Sequence, residues 1–267
     1  MKLQPLILNP FAKGVKSELT AWWNIYGSYF IGKTIQLTKG SSLPLLQKEY
    51  AISQGKLPHD TNVNIPYLEI TPLYTNAKHG ALFVNCNPSG TDYNYYKTNN
   101  QNNDVCFYYG EFNPDNPYFQ ESEKFALEVG VKSFAMIDVF PLVMQNQAVM
   151  KKAFYDAYSI HNNLETAFDE LLSIFIKNIE DIEPEFIVVT NAFVKDLLIK
   201  DSSPMRKLLT SFHEDKNKVC YDIGIGNFKT TLFCGGMIAG GHRMDTESRK
   251  RLTRDVRHFL SHTPILF

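Results

Sequence analysis

Nowhere in the 267-residue chain is there a run of about 18 apolar residues, so no segment reads as a membrane-spanning helix. Residues 1–10 carry one lysine, Lys2, and no long apolar core, so no secretory signal is expected. Cysteine is sparse and scattered: Cys86, Cys106, Cys220 and Cys234 include no pair with zinc or iron–sulfur spacing. Reduced thiols in a cytoplasmic protein are the expectation. Net charge is missing too. The 27 Lys+Arg against 28 Asp+Glu leave −1, which argues against a broadly basic nucleic-acid wrapper but permits a local basic patch. No internal repeat, long linker, nucleophile elbow or Walker loop is found. No metal site or cofactor is expected, no membrane partner, and a monomer is the default.

What is present suits a folded domain. Hydrophobic residues make up 44% and charged residues 21%, which excludes general disorder, and aromatics are plentiful. The length allows one large domain or two small ones. The first 75 or so residues read as mostly helical, with Leu19, Trp22, Trp23, Ile25 and Tyr26 as the buried face of a helix over 15–30. Leu45, Leu46 and Tyr50 suggest a shorter second helix, and Pro58, Pro66 and Pro72 an extended connection over 55–80.

From residue 80 the pattern changes. Ala81-Leu82-Phe83-Val84 is a short apolar run ended by Asn, Pro and Gly, the pattern of a buried strand. Residues 91–116 form a long polar and aromatic loop, of a length that is functional or disordered in a compact domain. A helix over 122–129, a strand over 133–137, a strongly amphipathic helix over 161–179, a strand over 186–189 and a helix over 192–199 follow. Val219–Tyr221 and Thr230–Phe233 form either a hairpin or two separate strands, and a helix over 245–260 closes the chain. Alternating strands and helices predict an α/β fold, three layers α/β/α, with a central, mostly parallel sheet. Ligands of such sheets bind at the carboxyl ends of strands, which nominates the loops 85–92, 138–146 and 234–243.

The run Leu82-Phe83-Val84-Asn85-Cys86-Asn87-Pro88-Ser89-Gly90 ends its strand in three turn-favouring residue types, and a plain turn accounts for it. It also resembles the first active-site motif of the uracil-DNA glycosylase superfamily, where the mismatch-specific and single-strand-selective branches have Gly-x-Asn-Pro-Gly. The resemblance covers roughly residues 80–260. It implies a glycosylase-like α/β domain over 76–267. Residues 1–75 have no counterpart in the family and are expected, from their own pattern, to be a mostly helical extension packed on that domain. By the resemblance Asn87 positions the hydrolytic water, Pro88 walls the base site, and Cys86 and Ser89 contact the base beside it. This chain departs from the motif at Asn85, where the family has Gly, and at Ser89, which precedes Gly90. Asp138 falls where the family keeps a base-reading polar residue, and a turn cap is its plain alternative. Phe233 to Arg243 falls where the family has His-Pro-Ser, and His242, the catalytic candidate there, comes about six residues late.

Hydrolysis of an N-glycosidic bond passes through a positively charged sugar and an anionic leaving base. Water then needs orientation more than deprotonation, and donors aimed at the base supply the larger electrostatic part. A flipped base needs a ring to stack on, and Tyr93 and Phe107 are the candidates in the loop after the first motif, beside Tyr95, Tyr96, Tyr108 and Tyr109. An ionised Asp138 beside an anionic base is unfavourable, so either its pKa is raised or the base is not uracil.

Gly235, Gly236, Gly240 and Gly241 let backbone amides approach a ligand, and the helix after them offers its positive N-terminus to an anion. Met237 or Ile238 is the candidate wedge into a base stack. The DNA-contact candidates are therefore Gly236, Met237, Ile238, Gly240, Gly241, Arg243 and Arg249. The last lies on a helix also carrying Lys250, Arg251, Arg254 and Arg257 against Asp245, Glu247 and Asp255, for which a solvated face is the plain reading. Asp92, Asp104, Glu111 and Asp115 against Lys97 make the region of the first motif acidic, which opposes phosphate contact. Two expectations stand: a DNA glycosylase for a uracil-type or other deaminated base, or a catalytically divergent binder of nucleotides or nucleic acid, which includes a hydrolase on free nucleosides.

Overall fold

The computed structural model describes residues 11–26, 80–86, 117–131, 134–141, 147–160, 163–215, 220–238 and 244–262. The helix expected near Leu45, the connection over 55–80 and the loop over 91–116 lie outside these residues. In chain order the elements are α1 (Phe11–Tyr26), β1 (Ala81–Asn85), α2 (Pro117–Val129), β2 (Phe134–Asp138), α3 (Gln147–Ile160), α4 (Asn163–Ile182), β3 (Phe186–Val189), α5 (Ala192–Ile199), α6 (Pro204–Lys207), β4 (Ser211–Asp215), β5 (Cys220–Ile225), β6 (Phe228–Cys234) and α7 (Thr246–His262).

The strands make one mixed sheet in the order β2-β1-β3-β6-β5-β4. β2, β1, β3 and β6 are mutually parallel, while β5 runs antiparallel to both β6 and β4. The two segments around Gly224 and Gly226 are thus a hairpin, β5–β6. Its turn residue Gly226 has φ +56°, as the first central position of a type II′ turn requires.

The parallel strands are apolar on both sides, as strands covered on both faces must be. Leu82, Val84, Ile137, Ile187 and Val189 pack with α1, α3, α4 and α5, while Ala81, Phe83, Met136, Phe186, Val188 and Phe233 pack with α2 and α7. Among the described residues no helix is long and apolar enough to cross a membrane.

Local signals explain most boundaries. α2 starts five residues before its expected start, at Pro117, whose missing N–H costs nothing at a first helical position. It ends in a Schellman motif: Val131 N donates to Ala126 O (3.0 Å) and Gly130 N to Leu127 O (3.2 Å), with Gly130 at φ +93°. α5 is capped by Asn191, whose Oδ1 accepts from Phe193 N and Val194 N.

α1 corrects one expectation. Leu19, Trp22 and Tyr26 are buried against α4, but Ile25 is 60% exposed because it lies off the stripe those three define. Trp22 Nε1 donates to Ala167 O (2.8 Å) and Tyr26 OH to Glu170 Oε1 (2.6 Å), which fixes α1 on α4. The side chain of Trp23 lies outside the description. α3, α6 and β4 had no counterpart among the expected elements.

Candidate functional site at the carboxyl edge of the sheet

Along the sheet β2 lies on one side of β1 and β3 on the other, so the chain reverses its winding between β1 and β3. Ligand crevices of open α/β sheets form at such reversal points, outside the strands' carboxyl ends. Three polar residues stand there side by side. Asn85 ends β1, Asp138 ends β2 in register with it, and Thr190 follows Val189, which is in register with Val84. All three continue the Phe83, Met136 and Val188 series, so they share the face covered by α2 and α7.

Backbone bonds hold this edge rigid past the strand ends. Val139 N donates to Asn85 O (3.1 Å), Phe140 N to Cys86 O (2.9 Å) and Thr190 N to Val84 O (3.0 Å). The buried Thr190 hydroxyl lies 2.5 Å from Asn85 Oδ1 and 3.1 Å from Val84 O. Its single proton favours the nearer acceptor. On the opposite face the Asn191 cap uses its Nδ2 to donate to Gln147 Oε1 (2.5 Å), which ties the start of α5 to the start of α3. Thr190, Asn191, Gln147 and Asn85 were absent from the candidate residues. The available signal was a polar Thr-Asn pair following the apolar strand Phe186–Val189 and opening a helix.

Cys86 continues the other series and is fully buried among the α3, α4 and α5 side chains. Burial, and behind it the Asp138 carboxylate, push its thiol far above the ordinary range, so it stays neutral. Its side chain belongs to the core, and only its backbone faces the edge. Cys234, at the end of β6, is a second neutral thiol, raised to about 11 by burial and partly offset by Lys195.

Gly235 and Gly236, which follow β6, stand where the chain packs closely against α7 and Met244. A Cβ on Gly235 would stand 2.9 Å from Leu252 Cδ2 and 3.1 Å from Met244 Cε, and one on Gly236 3.2 Å from Met244 Cβ. Gly235 N donates to Val189 O (2.9 Å) and Met244 N to Met237 O (2.7 Å), so the loop is pinned at both ends. Ile238 is buried with Leu252 and Val256, so a wedge role would require it to leave the core. Met237 is half-buried beside it.

The N-terminus of α7, expected to receive an anion, already holds one of the chain's own. Asp245 Oδ1 accepts from Ser248 N (2.8 Å) and Oδ2 from Ser248 Oγ (2.7 Å), bonds that keep its carboxyl below the ordinary value. Four of the five basic residues over 249–257 of α7 are also engaged, and Arg251 is exposed. Arg249 reaches Glu121 (2.6 Å) and Glu128 (3.6 Å) on α2, Arg257 Nε donates to Glu128 O (2.8 Å), and Lys250 and Arg254 pair with Glu247 and Asp255.

Asn87, Pro88, Ser89, Tyr93 and Phe107 lie outside the described residues, as do Gly240, Gly241, His242 and Arg243. The chain leaves for the first set at Cys86 and for the second at Ile238. Both exits follow strands that end on the same edge, β1 and β6, with β3 between them. The structure thus places Asp138 beside the exit of the first motif, with the Gly236–Ile238 segment on the same edge of the sheet but two strands further along from β1. Among the described residues no group of three His, Cys, Asp or Glu side chains is placed to hold a metal ion. No protein-family model matches the chain, and no curated protein matches it.

Proposed function

We propose that the protein is a DNA base-excision enzyme with the three-layer glycosylase-like fold, hydrolysing the N-glycosidic bond of a uracil-type or other deaminated base. The observation that carries this reading is the exit of the Asn85–Gly90 run at the β1–β3 reversal point, with Asp138 in register beside it. In this reading Asn87 orients the attacking water, and Asp138 reads the base edge by accepting from a ring N–H or an amino group. For uracil itself that requires the neutral acid rather than the carboxylate. Pro88 and an aromatic of the following loop, Tyr93 or Phe107, enclose the base. No covalent intermediate is invoked, in keeping with the neutral state of Cys86 and Cys234.

The test is single-turnover base release from oligonucleotides carrying uracil, hypoxanthine, xanthine or mismatches, with Asn87→Ala run alongside. Release by the wild type that falls by about a hundredfold or more in the folded variant is the expected result. Wild-type protein that releases no base from single- or double-stranded DNA sinks the proposal.

A second reading has a specific observation in its favour. Of the α7 cations, Arg249 is committed to Glu121 and Glu128 on α2, and Lys250 and Arg254 pair with Glu247 and Asp255. A protein of this fold that takes a free nucleoside, which carries no phosphate, needs no such cations. Salt-insensitive binding of a nucleobase, without DNA affinity, would select it.

A further inference from the structure

Two histidines close α7, and they stand away from the proposed base site. α7 starts after β6 at the carboxyl edge of the sheet, and Phe259 in its last turn meets the ring of Phe186, the first residue of β3, at 6.2 Å between centroids. The end of α7 is therefore at the opposite, amino edge. We infer that His258 and His262 on this last turn form a two-histidine site for a divalent transition ion of the zinc class, with water in the remaining positions.

Three observations carry it. The first is spacing. Residues four apart on a helix lie one above the other on one face, the arrangement in which paired histidines take one ion. Here the two rings are neighbours, with centroids 4.2 Å apart and planes tilted by 49°. Two imidazoles bonded to one ion at about 2.1 Å each hold their centres on the order of 5 Å apart, so a small ring rotation closes the chelate. Both residues are exposed, and an ion reaches them without any opening of the core.

The second is the state of the His262 ring. Its Nδ1 lies 2.7 Å from His258 O, and a carbonyl oxygen only accepts, so Nδ1 carries the proton. The Ser261 hydroxyl, 2.9 Å from the same nitrogen, gives its own proton to His258 O (2.8 Å) and is left as an acceptor as well. In the neutral ring Nε2 is then the bare nitrogen, on the side away from that carbonyl. A ligating histidine is held in this same way, by a bond from its second ring nitrogen to a backbone carbonyl, so the outer support of the site is already built.

The third is charge. The last four carbonyls of a helix have no intrahelical partner and place partial negative charge at its C-terminus, which favours a cation there. The opposing charge one turn earlier, Arg254, is paired with Asp255 (3.2 Å), and Arg257 donates to Glu128 O (2.8 Å) on α2. Imidazole suits zinc, nickel and copper, and two such ligands make a site that is open and weaker than one with three or four. A ring-on-ring contact is the plain alternative, and it requires no ion.

The test titrates Zn²⁺ into the metal-free full chain by calorimetry, beside His258→Ala, His262→Ala and the double variant. Each single variant should weaken the wild-type zinc event about tenfold or more, and the double variant no further, because a chelate needs both rings. Zinc should also raise the melting temperature of the wild type but not of the variants, since the ion ties the last turn of α7. Both positions are exposed, so without zinc the variants should melt as the wild type does. Wild-type protein that binds no zinc below about 1 mM overturns the inference, as do folded variants that bind it as tightly as the wild type.

Discussion

The two faces of the sheet are covered in different ways. On the α1, α3, α4 and α5 side, Phe140 lies 5.6 Å from both Phe154 and Phe168 between ring centroids, and Phe193 lies 5.5 Å from Phe154. These rings are buried and touch one another, so that side is held by shape and apolar area. On the α2 and α7 side the apolar layer is smaller, Phe259 is only partly buried, and the two helices are joined by Arg249 and Arg257 to Glu121 and Glu128. Asn85, Asp138 and Thr190 turn toward this second side. Sites that must admit a ligand are drawn from the less tightly held parts of a fold. The thick face thus keeps the strand ends in register while the thinner face carries the polar row.

The largest effect should come from the thick face. Phe168→Ala removes a buried ring that meets Phe140 and Phe154 edge-on at 5.6 and 5.4 Å. It should cost roughly 3–5 kcal/mol in denaturant unfolding. Phe125→Ala on the thin face removes a ring meeting Phe83 at 5.9 Å and should fall at the lower end of that range. Equal costs, or a larger one for Phe125, would erase the contrast between the faces.

Legibility followed locality. β1, β2 and β3 were readable because parallel strands are short apolar runs, and α5 was readable to the residue because Asn191 caps it and its interior is apolar. α3 was not, because its buried face includes the small Ala153 and Ala157 and its apolar stripe is faint. Nor was β4, an edge strand whose Ser211, His213 and Glu214 are exposed and whose Phe212 alone is half-buried. The strand-end rule pointed to the loops 85–92 and 138–146, and the resemblance singled out the first motif and Asp138 within them. Asn85 had been noted only as a departure from Gly, and its link to Thr190 spans 105 residues, a distance over which no periodicity speaks. Arg249 is the opposite case. Its helix was read as amphipathic and basic, but what its charge faces was decided by the packing of α2 against α7.

Arg249→Met sharpens the contrast at intermediate size. The guanidinium is 27% exposed and ties two helices, so its loss should cost about 1 kcal/mol, and the cost should shrink in high salt. The same variant separates the two functional readings. If Arg249 contacts phosphate in a DNA complex, the salt slope of binding should fall by about one unit, whereas an arginine spent on α2 leaves that slope unchanged.

The smallest effect is expected from pH, and its sign follows from Glu121. Hydrogen bonds from Lys124 and Arg249, each 2.6 Å, hold its carboxyl below the ordinary value of 4.5. A carboxyl lowered on folding contributes stability that is complete above its unfolded pKa and is lost as pH falls through its folded one. The contribution should therefore be constant from neutral pH down to about 5 and fade below about 4.5. Glu121→Gln keeps the shape and removes the charge, so the gap between wild type and variant should be small at pH 7 and close on acidification. A gap in melting temperature that persists undiminished at pH 3 would mean that α2 and α7 are held by their apolar contacts alone. The thin face would then differ from the thick one only in size, and the ion pairs between its helices would be surface decoration.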